Sequence, residues 1–292
     1  GRLRNLPHHD LDKWGMFKDY CKQDVVAEME IYKRLSIFPV PDIEQRLWEL
    51  SDSMNALGVK VDVDLVNSAL AIDNESSDRL IKRAKEVTGI DNPKSTSQVL
   101  NWLQERVDGV ENTNKETVAS LLSRDDIPGD VREFLKIRQE LAKASISKYK
   151  AMDVCRGSGD RVRGLLQVYG ANRTGRWAGR LVQVQNLPRN YLDNLETIRD
   201  VIKTNNLDLL QLVCGNASDT LSQLIRTAFI PTEGNKFVVA DYSAIEARVV
   251  AWLAGEEWVN KVFATHGKIY EATASQMFGV PFELIKKGNP EY

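Results

Sequence analysis

The segment FVVADYSAIEARVVAWLAG, residues 237–255, places two carboxylates at positions where they could do chemistry. Four apolar residues, typical of a buried strand, end at Asp241, and a helix carrying Glu246 is predicted over 244–254. Because burying a carboxylate without a partner is costly, Asp241 must be solvated, paired or bound to a cation. A simpler interpretation stays open, since Asp241 favours a helix N-terminus and Ser243 with Glu246 fits a capping box.

A second stretch, residues 161–189, has six arginines and no lysine, aspartate or glutamate, so its local charge is +6 in a chain of formal net charge −2. Arginine forms forked hydrogen bonds with phosphates and also reads base edges. The stretch therefore indicates contact with nucleic acid, although a solvated basic loop paired with acids elsewhere fits the charge too. Glycines that permit close backbone approach, and neutral amides, accompany the arginines. These residues are Arg161, Arg163, Arg173, Arg176, Arg180 and Arg189, with Gly170, Gly175 and Gly179, and Asn172, Gln183, Gln185 and Asn186.

The helix predicted just before this stretch, over about 130–153, carries a basic stripe. Its members fall at i, i+7, i+11 and i+14, which places them on one face over about four turns. Such a stripe could follow a phosphate backbone, but a charged stripe is more often a solvated helix face, and Glu140 interrupts this one. The members are Lys136, Lys143, Ser147 and Lys150.

The elements that must position these residues are mostly helices. Short strands are predicted in VKVDV (59–63) and KFVVA (236–240). The second of these is followed by a helix, so α/β character emerges late in the chain. The prolines at 39 and 41 close the first helix and mark a plausible domain boundary. Thr113 and Glu116 fit a capping box. Apolar spacing predicts helices over 11–36, 42–57, 65–87, within 95–106 and 113–122, over 130–153, as short elements up to about 229, and over 244–254 and 268–278.

The composition is that of an ordinary globular protein. The 292 residues are 42% hydrophobic and 27% charged, and no stretch approaches the roughly 18 apolar residues of a membrane span. The N-terminal GRLRNLPHHDLDKWG lacks the apolar core of a signal peptide. Three scattered cysteines argue against a zinc site or a disulfide framework. These features predict a cytoplasmic protein that does not bind membranes.

Several segments together resemble one family. DYSAIEARVVAWLAG resembles motif A of the family A (DNA polymerase I-like) DNA polymerases, and RTGRWAGRLVQVQNLPRN resembles their TGR…QNxP segment. LIRTAFIPTEGNKFVVADYS matches the approach to motif A, including its IRxAF element. NPKSTSQVLNWL and VENTNKETVASLL are similar to thumb segments of the family. YCKQD, with Tyr20 and Asp24, resembles the third motif of the 3′–5′ proofreading exonuclease. The segments follow the family's order over essentially the whole chain, and their amino-acid sequences are most similar to those of the bacteriophage branch.

The resemblance implies template-directed nucleotidyl transfer with two Mg²⁺ ions, primer–template DNA and dNTPs as partners. Asp241, at the end of its strand, is then a Mg²⁺ ligand with the Tyr242 backbone carbonyl beside it. Glu246 is expected beneath the incoming sugar, where it disfavours a 2′-hydroxyl. Arg176 corresponds to the minor-groove arginine at the primer terminus. The further residues expected to contact DNA are Gln185, Asn186, Arg173, Arg180, Lys143, Ser147 and Lys150, and those expected near the nucleotide are Arg226 and Tyr270.

The chain also departs from the family pattern. Trp177-Ala178-Gly179 stands where relatives often have Leu-Ser-Ser, and Tyr270 stands where many have histidine. Motifs B and C, which supply triphosphate contacts and the second metal carboxylate, are not found. The His8-His9-Asp10 triplet lies in a polar context that predicts a loop and not a displaced motif C. We therefore expect little polymerase activity from this chain alone, and we expect a C-terminal segment carrying motifs B and C as its partner.

The predicted fold is mostly α with an α/β palm portion, a partial right-hand polymerase. The expected divisions are the end of the exonuclease domain (1–38), thumb helices (39–155), a palm portion (156–255) and the start of the fingers (256–292). Three alternatives stay open at this point: one half of a split polymerase, a non-catalytic DNA-binding module, and a purely structural helical protein.

Overall fold

The structure, a computed structural model, describes residues 6–143 and 146–285. Residues 1–5 and 286–292, which belong to the predicted exonuclease-end and fingers segments, lie outside the described residues. The chain divides after Asn235 into two compact units, which are described separately below.

The first unit contains ten of the helices and all of the strands among the described residues. Its helices are α1 (Leu11–Leu35), α2 (Asp42–Leu57), α3 (Val63–Thr88), α4 (Thr96–Gln104), α5 (Lys115–Ser123), α6 (Gly129–Leu141), α7 (Ser147–Cys155), α8 (Leu195–Lys203), α9 (Leu207–Cys214) and α10 (Ala217–Leu224). Its strands are β1 (Val59–Lys60), β2 (Arg156–Gly157), β3 (Arg161–Val162), β4 (Leu166–Ala171) and β5 (Arg176–Gly179). Short 3-10 turns cover Pro7–His9, Ser158–Asp160, Val184–Asn186 and Ile225–Ala228.

The second unit is helical in its described part. It contains α11 (Ile245–Ala254), α12 (Glu257–Thr265) and α13 (Ile269–Phe278), followed by a 3-10 turn at Phe282–Leu284.

Most of the predicted helices are confirmed, and the structure shows which residues bound them. Asp62 begins α3 because its carboxylate accepts a hydrogen bond from the Leu65 amide at 3.1 Å. Gly58 and Gly89, both with positive φ, end α2 and α3. The short strand predicted at 59–63 is present in part, since β1 covers only Val59–Lys60 in the sheet order β1-β3-β2 and Val63 begins α3. The His8–Asp10 triplet forms a 3-10 turn and the N-cap of α1, consistent with the expected loop.

The predicted helix over 130–153 is wrong in one respect, because it is two helices. Helix α6 ends at Leu141 and α7 begins at Ser147. Contacts from α10 accompany the break: Asn216 donates to Glu140 at 3.0 Å, and Lys143 pairs with Asp219 at 3.5 Å. Tertiary contacts of this kind override local helix propensity. The basic stripe is therefore divided between two helices and their connection.

The strand predicted at 236–240 is also wrong for the described residues. A strand requires a hydrogen-bonded neighbour, and no described segment pairs with this one. Its apolar side chains are consequently solvent-exposed, Val238 by 84% and Val239 by 90%.

Two hydrophobic clusters form the core of the first unit, and α3 contributes to both. The larger cluster packs the N-terminal part of α3 against α7, α8, α9 and α10, with fully buried Leu65, Tyr149, Ile202 and Leu221. The smaller cluster packs the C-terminal end of α3 with α4, α5 and α6 around Phe134 and Leu135. The larger cluster also includes Val162, Leu165, Val182 and Leu187, so the residues that follow α7 are packed on it.

Helices α1 and α2 contribute little to this core. Helix α1 has no buried residue, and only Ser51 of α2 is buried. The predicted apolar stripe of α2 is largely exposed, including Ile43, Leu50 and Leu57. In the described part of the chain, no helix combines the length and the apolar run that crossing a bilayer requires.

Candidate nucleic-acid interface

The arginine-rich stretch contains a β-hairpin that was not predicted. Strands β4 and β5 pair antiparallel, with Leu166 opposite Gly179 and Ala171 opposite Arg176, and the register shifts between them. Gly170 permits this close pairing, since a Cβ atom at that position would lie 2.4 Å from the Cβ of Ala178. The hairpin thus has no room for a larger residue at its centre.

The turn of the hairpin is held by an aromatic side chain. Gly175 has a φ of +66°, and a Cβ there would lie 3.0 Å from Cε2 of Tyr169. Tyr169 itself has a φ of +52°, an uncommon backbone conformation for a bulky residue. The ring of Tyr169 therefore packs on the turn immediately before Arg176.

Helix α2 anchors the other end of the hairpin through Asn55. Its Nδ2 donates to the Leu166 carbonyl at 2.7 Å, and its Oδ1 accepts from the Leu166 amide at 2.9 Å. This bidentate contact satisfies the backbone of an edge strand and fixes the position of β4 on α2.

Two of the six arginines in the stretch have a structural role. Arg161 donates to the carbonyls of Leu57 and Gly58 at 2.7 and 2.8 Å, and Arg163 donates to that of Ala56 at 2.9 Å. These carbonyls lie at the C-terminus of α2, where cations are favourable. Arg161 and Arg163 thus cap a helix, which corrects the reading of the whole stretch as a nucleic-acid surface.

The other four arginines are exposed, as are Gln185 and Asn186. Arg173, Arg180 and Arg189 form no ion pair with any described residue, so acidic neighbours do not neutralise them within this part of the chain. Gln185 lies over Gly179, where a Cβ would be 2.0 Å from Gln185 Oε1. A side chain larger than that of glycine at position 179 would therefore collide with this glutamine. The four exposed arginines are Arg173, Arg176, Arg180 and Arg189.

Sequence spacing did not reveal a basic pocket of about 740 Å³ formed by α5, α6 and the residues before α4. Four cationic side chains line it, and no acidic residue is among the described residues that do so. Arg138 is half-buried and donates to Thr113 Oγ1 at 3.1 Å, and burial lowers the pKa of its guanidinium. The cations come from distant parts of the sequence, so no local pattern could have grouped them. They are Lys94, Lys115, Arg138 and Lys143.

The predicted DNA contacts Ser147 and Lys150 line an adjoining pocket of about 300 Å³ together with Lys143. Two acidic residues, Asp73 and Glu140, share this pocket. Burial raises the pKa of the Asp73 carboxyl, while Lys94 opposes that shift. The adjoining pocket is therefore of mixed charge, whereas the basic pocket is not.

Arg226 joins two segments of the predicted site. Its Nη2 donates to the Leu187 carbonyl at 2.9 Å, which connects the IRTAF turn to the QNLP segment. Arg199 of α8 supports the same turn by donating to the Thr227 carbonyl at 2.7 Å and to Asp62 Oδ2 at 2.6 Å.

Asp62 is the acidic centre of this support. Lys203 also pairs with its Oδ2, at 2.8 Å. Burial alone would raise the pKa of Asp62, but hydrogen bonds from Lys203, the Leu65 amide and Arg199, with the charge of Lys203, outweigh it and lower that pKa. The pairing of Asp62 was not foreseen, because Arg199 and Lys203 lie more than 130 residues after it in the sequence.

In the second unit, Asp241 and Tyr242 lie in an exposed segment without regular secondary structure, and Glu246 lies on the first turn of α11. Ala244, with a φ of +51°, is the N-cap of α11, so the predicted cap at Ser243 is wrong by one residue. The segment is tied to its own unit by Arg248, which donates to the Ser243 carbonyl at 2.8 Å and stacks over the ring of Phe263.

The remaining predicted residues are exposed and lie on helices. Tyr270, 85% exposed, is on the first turn of α13. Tyr20 and Asp24 are exposed on α1.

The described residues do not form a metal centre by themselves. Within residues 6–143 and 146–285, no group of three or more His, Cys, Asp or Glu side chains could hold an ion. Asp241 offers one carboxylate, and Mg²⁺ in a two-metal site needs more oxygen ligands than that. The described part of the chain therefore does not fit a complete two-metal site.

Comparisons with known proteins converge on one family. The model of DNA polymerase family A matches residues 68–289. A DNA polymerase of Bacillus phage SP02 is 52% identical over 289 residues, which are 99% of this chain and 44% of that protein. The thermostable DNA polymerase I of Thermus aquaticus is 51% identical over 65 residues, 22% of this chain and 8% of that protein.

A solved structure agrees in fold. The POL domain of Pol1 from M. smegmatis, in complex with DNA primer-template and dNTP, aligns with a TM-score of 0.55 and 19% identity. The alignment covers 89% of this chain and 42% of that one. The chain thus spans less than half the length of the phage relative and of this structure.

Proposed function

This chain belongs to DNA polymerase family A, and from that premise we propose that it supplies the primer–template grip and one metal ligand of a template-directed DNA polymerase. Its mostly helical fold with small sheets is that of part of a polymerase domain. In this proposal residues 1–38 end an exonuclease domain, 39–155 form the thumb, 156–255 part of the palm, and 256–292 begin the fingers.

The observation that carries the proposal is the set of exposed arginines, with Arg173 and Arg176 on the hairpin and Arg180 and Arg189 after it. Asn55 and Gly170 hold β4 in place, so the arginines of the hairpin region need little ordering when DNA binds. Arg176 would contact the minor groove at the primer terminus, and Arg173 and Arg180 would contact phosphates. Gln185 and Asn186 would contact the template–primer duplex nearby.

The basic pocket supports the same partner from the thumb helices. Four cations line its wall without an acidic residue, an arrangement that suits phosphate oxygens. Lys143, Ser147 and Lys150 continue this surface into the adjoining pocket, although Asp73 and Glu140 weaken its positive potential there.

For the second unit, we propose roles by position in motif A. Asp241 would give one carboxylate oxygen and Tyr242 its backbone carbonyl to Mg²⁺, with the remaining ligands supplied from outside the described residues. Glu246 would lie under the incoming sugar, and Tyr270 would face the dNTP. For Arg226, which belongs to the first unit, we propose the same ligand. The segment carrying motifs B and C would complete the site. Tyr20 and Asp24 would belong to the exonuclease motif of the larger protein.

Primer–template binding and primer extension test the proposal together. Wild type and Asp241→Ala are compared with Mg²⁺ and all four dNTPs, and the affinity for primer–template is measured over a series of salt concentrations. We expect salt-sensitive binding by both proteins and little extension by either, because one carboxylate does not complete a metal site.

Two results would change this view. Weak binding without salt dependence would contradict the DNA-grip proposal. Extension by the wild type that is lost in Asp241→Ala would mean that the protein assembles the remaining metal ligands, for example from a second chain.

A further inference from the structure

An open groove of about 650 Å³ lies between the start of α2 and strand β4. Its walls are mainly apolar, formed by Val40, Pro41 and Val168, with two aromatic side chains, Trp48 and Tyr169. Trp48 is 57% exposed and Tyr169 is 53% exposed. Two large aromatic surfaces are therefore presented to solvent in one concave site of the size that binds small ligands.

The backbone at this groove is held in an uncommon conformation. Tyr169 has a φ of +52° in the irregular part of β4, where the register shifts between Gln167 and Ala171. Bulges of this kind re-aim a side chain and are frequent beside functional sites. Here the bulge directs the Tyr169 ring so that it borders the groove and also packs on Gly175.

The shared ring joins the groove to the arginine-bearing turn. Gly175 directly precedes Arg176, and Arg173 lies two residues earlier in the same turn. A groove with aromatic walls next to cations suits a nucleotide, since the base can stack while its phosphate meets arginine. Glu44 and Gln45 at the rim add polar groups that can meet a base edge, and the Glu44 carboxylate disfavours the phosphate there.

We propose that this groove binds an unpaired nucleobase of single-stranded DNA, with Trp48 and Tyr169 as the stacking surfaces. Bases within a duplex are already stacked on their neighbours, so the occupant must be a nucleotide outside the duplex. The inference rests on the proposed function, because it requires that the hairpin contact DNA at all.

A fluorescent base analogue tests the proposal on the full chain. A short single-stranded oligonucleotide with 2-aminopurine at its centre is titrated with wild type, and a blunt-ended duplex of the same sequence serves as the comparison ligand. We expect quenching of 2-aminopurine on stacking with the single strand. Trp48→Ala should weaken single-strand affinity about tenfold and remove most of the quenching, the effect of losing one stacking contact.

Two further variants keep the test specific. Tyr169→Asn removes the second ring while tolerating the positive φ, and it should weaken single-strand binding similarly. Trp14→Ala removes an aromatic residue from α1, outside the groove, and should leave the quenching at its wild-type value. Circular dichroism establishes that each variant is folded.

The outcomes separate this inference from the proposed function. Wild-type quenching and affinity in Trp48→Ala would overturn the base-stacking site. The proposed function would survive that result if salt-sensitive duplex binding persisted. Failure of the chain to bind either form of DNA would overturn both.

Discussion

The hairpin β4–β5 and the segment 237–246 are both clear motifs in the sequence, yet they differ in how the structure supports them. The hairpin is fixed by close packing at Gly170 and by two hydrogen bonds between Leu166 and Asn55, one donated by each residue. In the motif A segment, Val238 and Val239 are almost fully exposed and pair with no described strand. The side chains of a motif are therefore held in place before ligand binding only where the same compact unit also contains the residues that support them.

This difference has consequences for binding. A side chain on a fixed element loses little conformational freedom when a ligand binds, whereas one on an unsupported segment must be ordered first. The exposed arginines of the hairpin are of the first kind, and Asp241 is of the second. We therefore expect this chain to bind DNA better than it binds the catalytic metal.

The largest predicted effect concerns Asp62, which supports the IRTAF turn and lies in the same compact unit as the hairpin. Asp62→Ala should lower the free energy of unfolding by about 3 kcal/mol, because it removes the cap of α3 and leaves Arg199 and Lys203 without their shared partner. Asp62→Asn keeps a capping oxygen, so its free energy of unfolding should fall by about 1 kcal/mol less than that of Asp62→Ala. Urea unfolding followed by circular dichroism measures both values.

The same carboxylate predicts a pH dependence. Its pKa is lowered in the folded protein, so its contribution to stability is complete above the pKa of a free aspartate, about 3.9, and is lost as the pH falls below that value. The stability difference between wild type and Asp62→Asn should therefore shrink below about pH 4. Asp64→Asn, at an exposed neighbouring position, is the control and should change little. A difference that stays constant down to pH 2 would contradict the ionic role.

A second prediction compares two valines, one packed beside the hairpin and one in the motif A segment. Val182 is fully buried in the larger cluster beside the hairpin, and Val239 is 90% exposed in the motif A segment. Val182→Ala should cost about 2 kcal/mol of stability through the lost burial and the cavity, whereas Val239→Ala should change it by less than about 0.5 kcal/mol. Denaturant midpoints measured in parallel distinguish the two. An equal loss for Val239→Ala would mean that this segment is packed after all.

A third prediction separates structural from binding arginines. Arg161→Ala should lower stability by about 1 kcal/mol, because the carbonyls at the end of α2 lose a charged donor, and it should leave the salt dependence of DNA binding nearly unchanged. Arg173→Ala should do the reverse: stability stays within about 0.5 kcal/mol, and the slope of log affinity against log salt falls by about 1. Equal effects of both substitutions on DNA affinity would contradict this division.

Sequence periodicity was sufficient for elements whose stabilising contacts are local. Helices α2 and α3 were predicted because the apolar spacing that identifies them lies within a few residues of sequence. The break after Leu141 was not predictable, because the contacts at Glu140 and Lys143 come from α10, about 75 residues later. The strand at 236–240 was predicted from its apolar run, but pairing depends on a partner segment that the run itself cannot reveal.

The candidate site divides in the same way. The arginine run was visible in the sequence, yet its charge could not distinguish Arg161 and Arg163, which cap α2, from the exposed arginines. The basic pocket stayed hidden because Lys94, Lys115 and Arg138 converge only after folding. Local composition thus predicts a class of ligand, whereas tertiary contacts decide which side chains are exposed to any ligand.

The smallest predicted effect concerns two helix caps that the sequence placed one residue too early. At α5, Asn114 and not Thr113 is the N-cap, and its side chain accepts from the Thr117 amide at 2.8 Å. At α11 the N-cap is Ala244, which has no side chain to do this. Asn114→Ala should therefore cost about 1 kcal/mol, while Ser243→Ala should cost less than about 0.5 kcal/mol. Unfolding midpoints of the two variants measure the difference. A loss of about 1 kcal/mol for Ser243→Ala would mean that the Ser243–Glu246 capping box forms in solution, and the motif A helix would then be better supported than its contacts indicate.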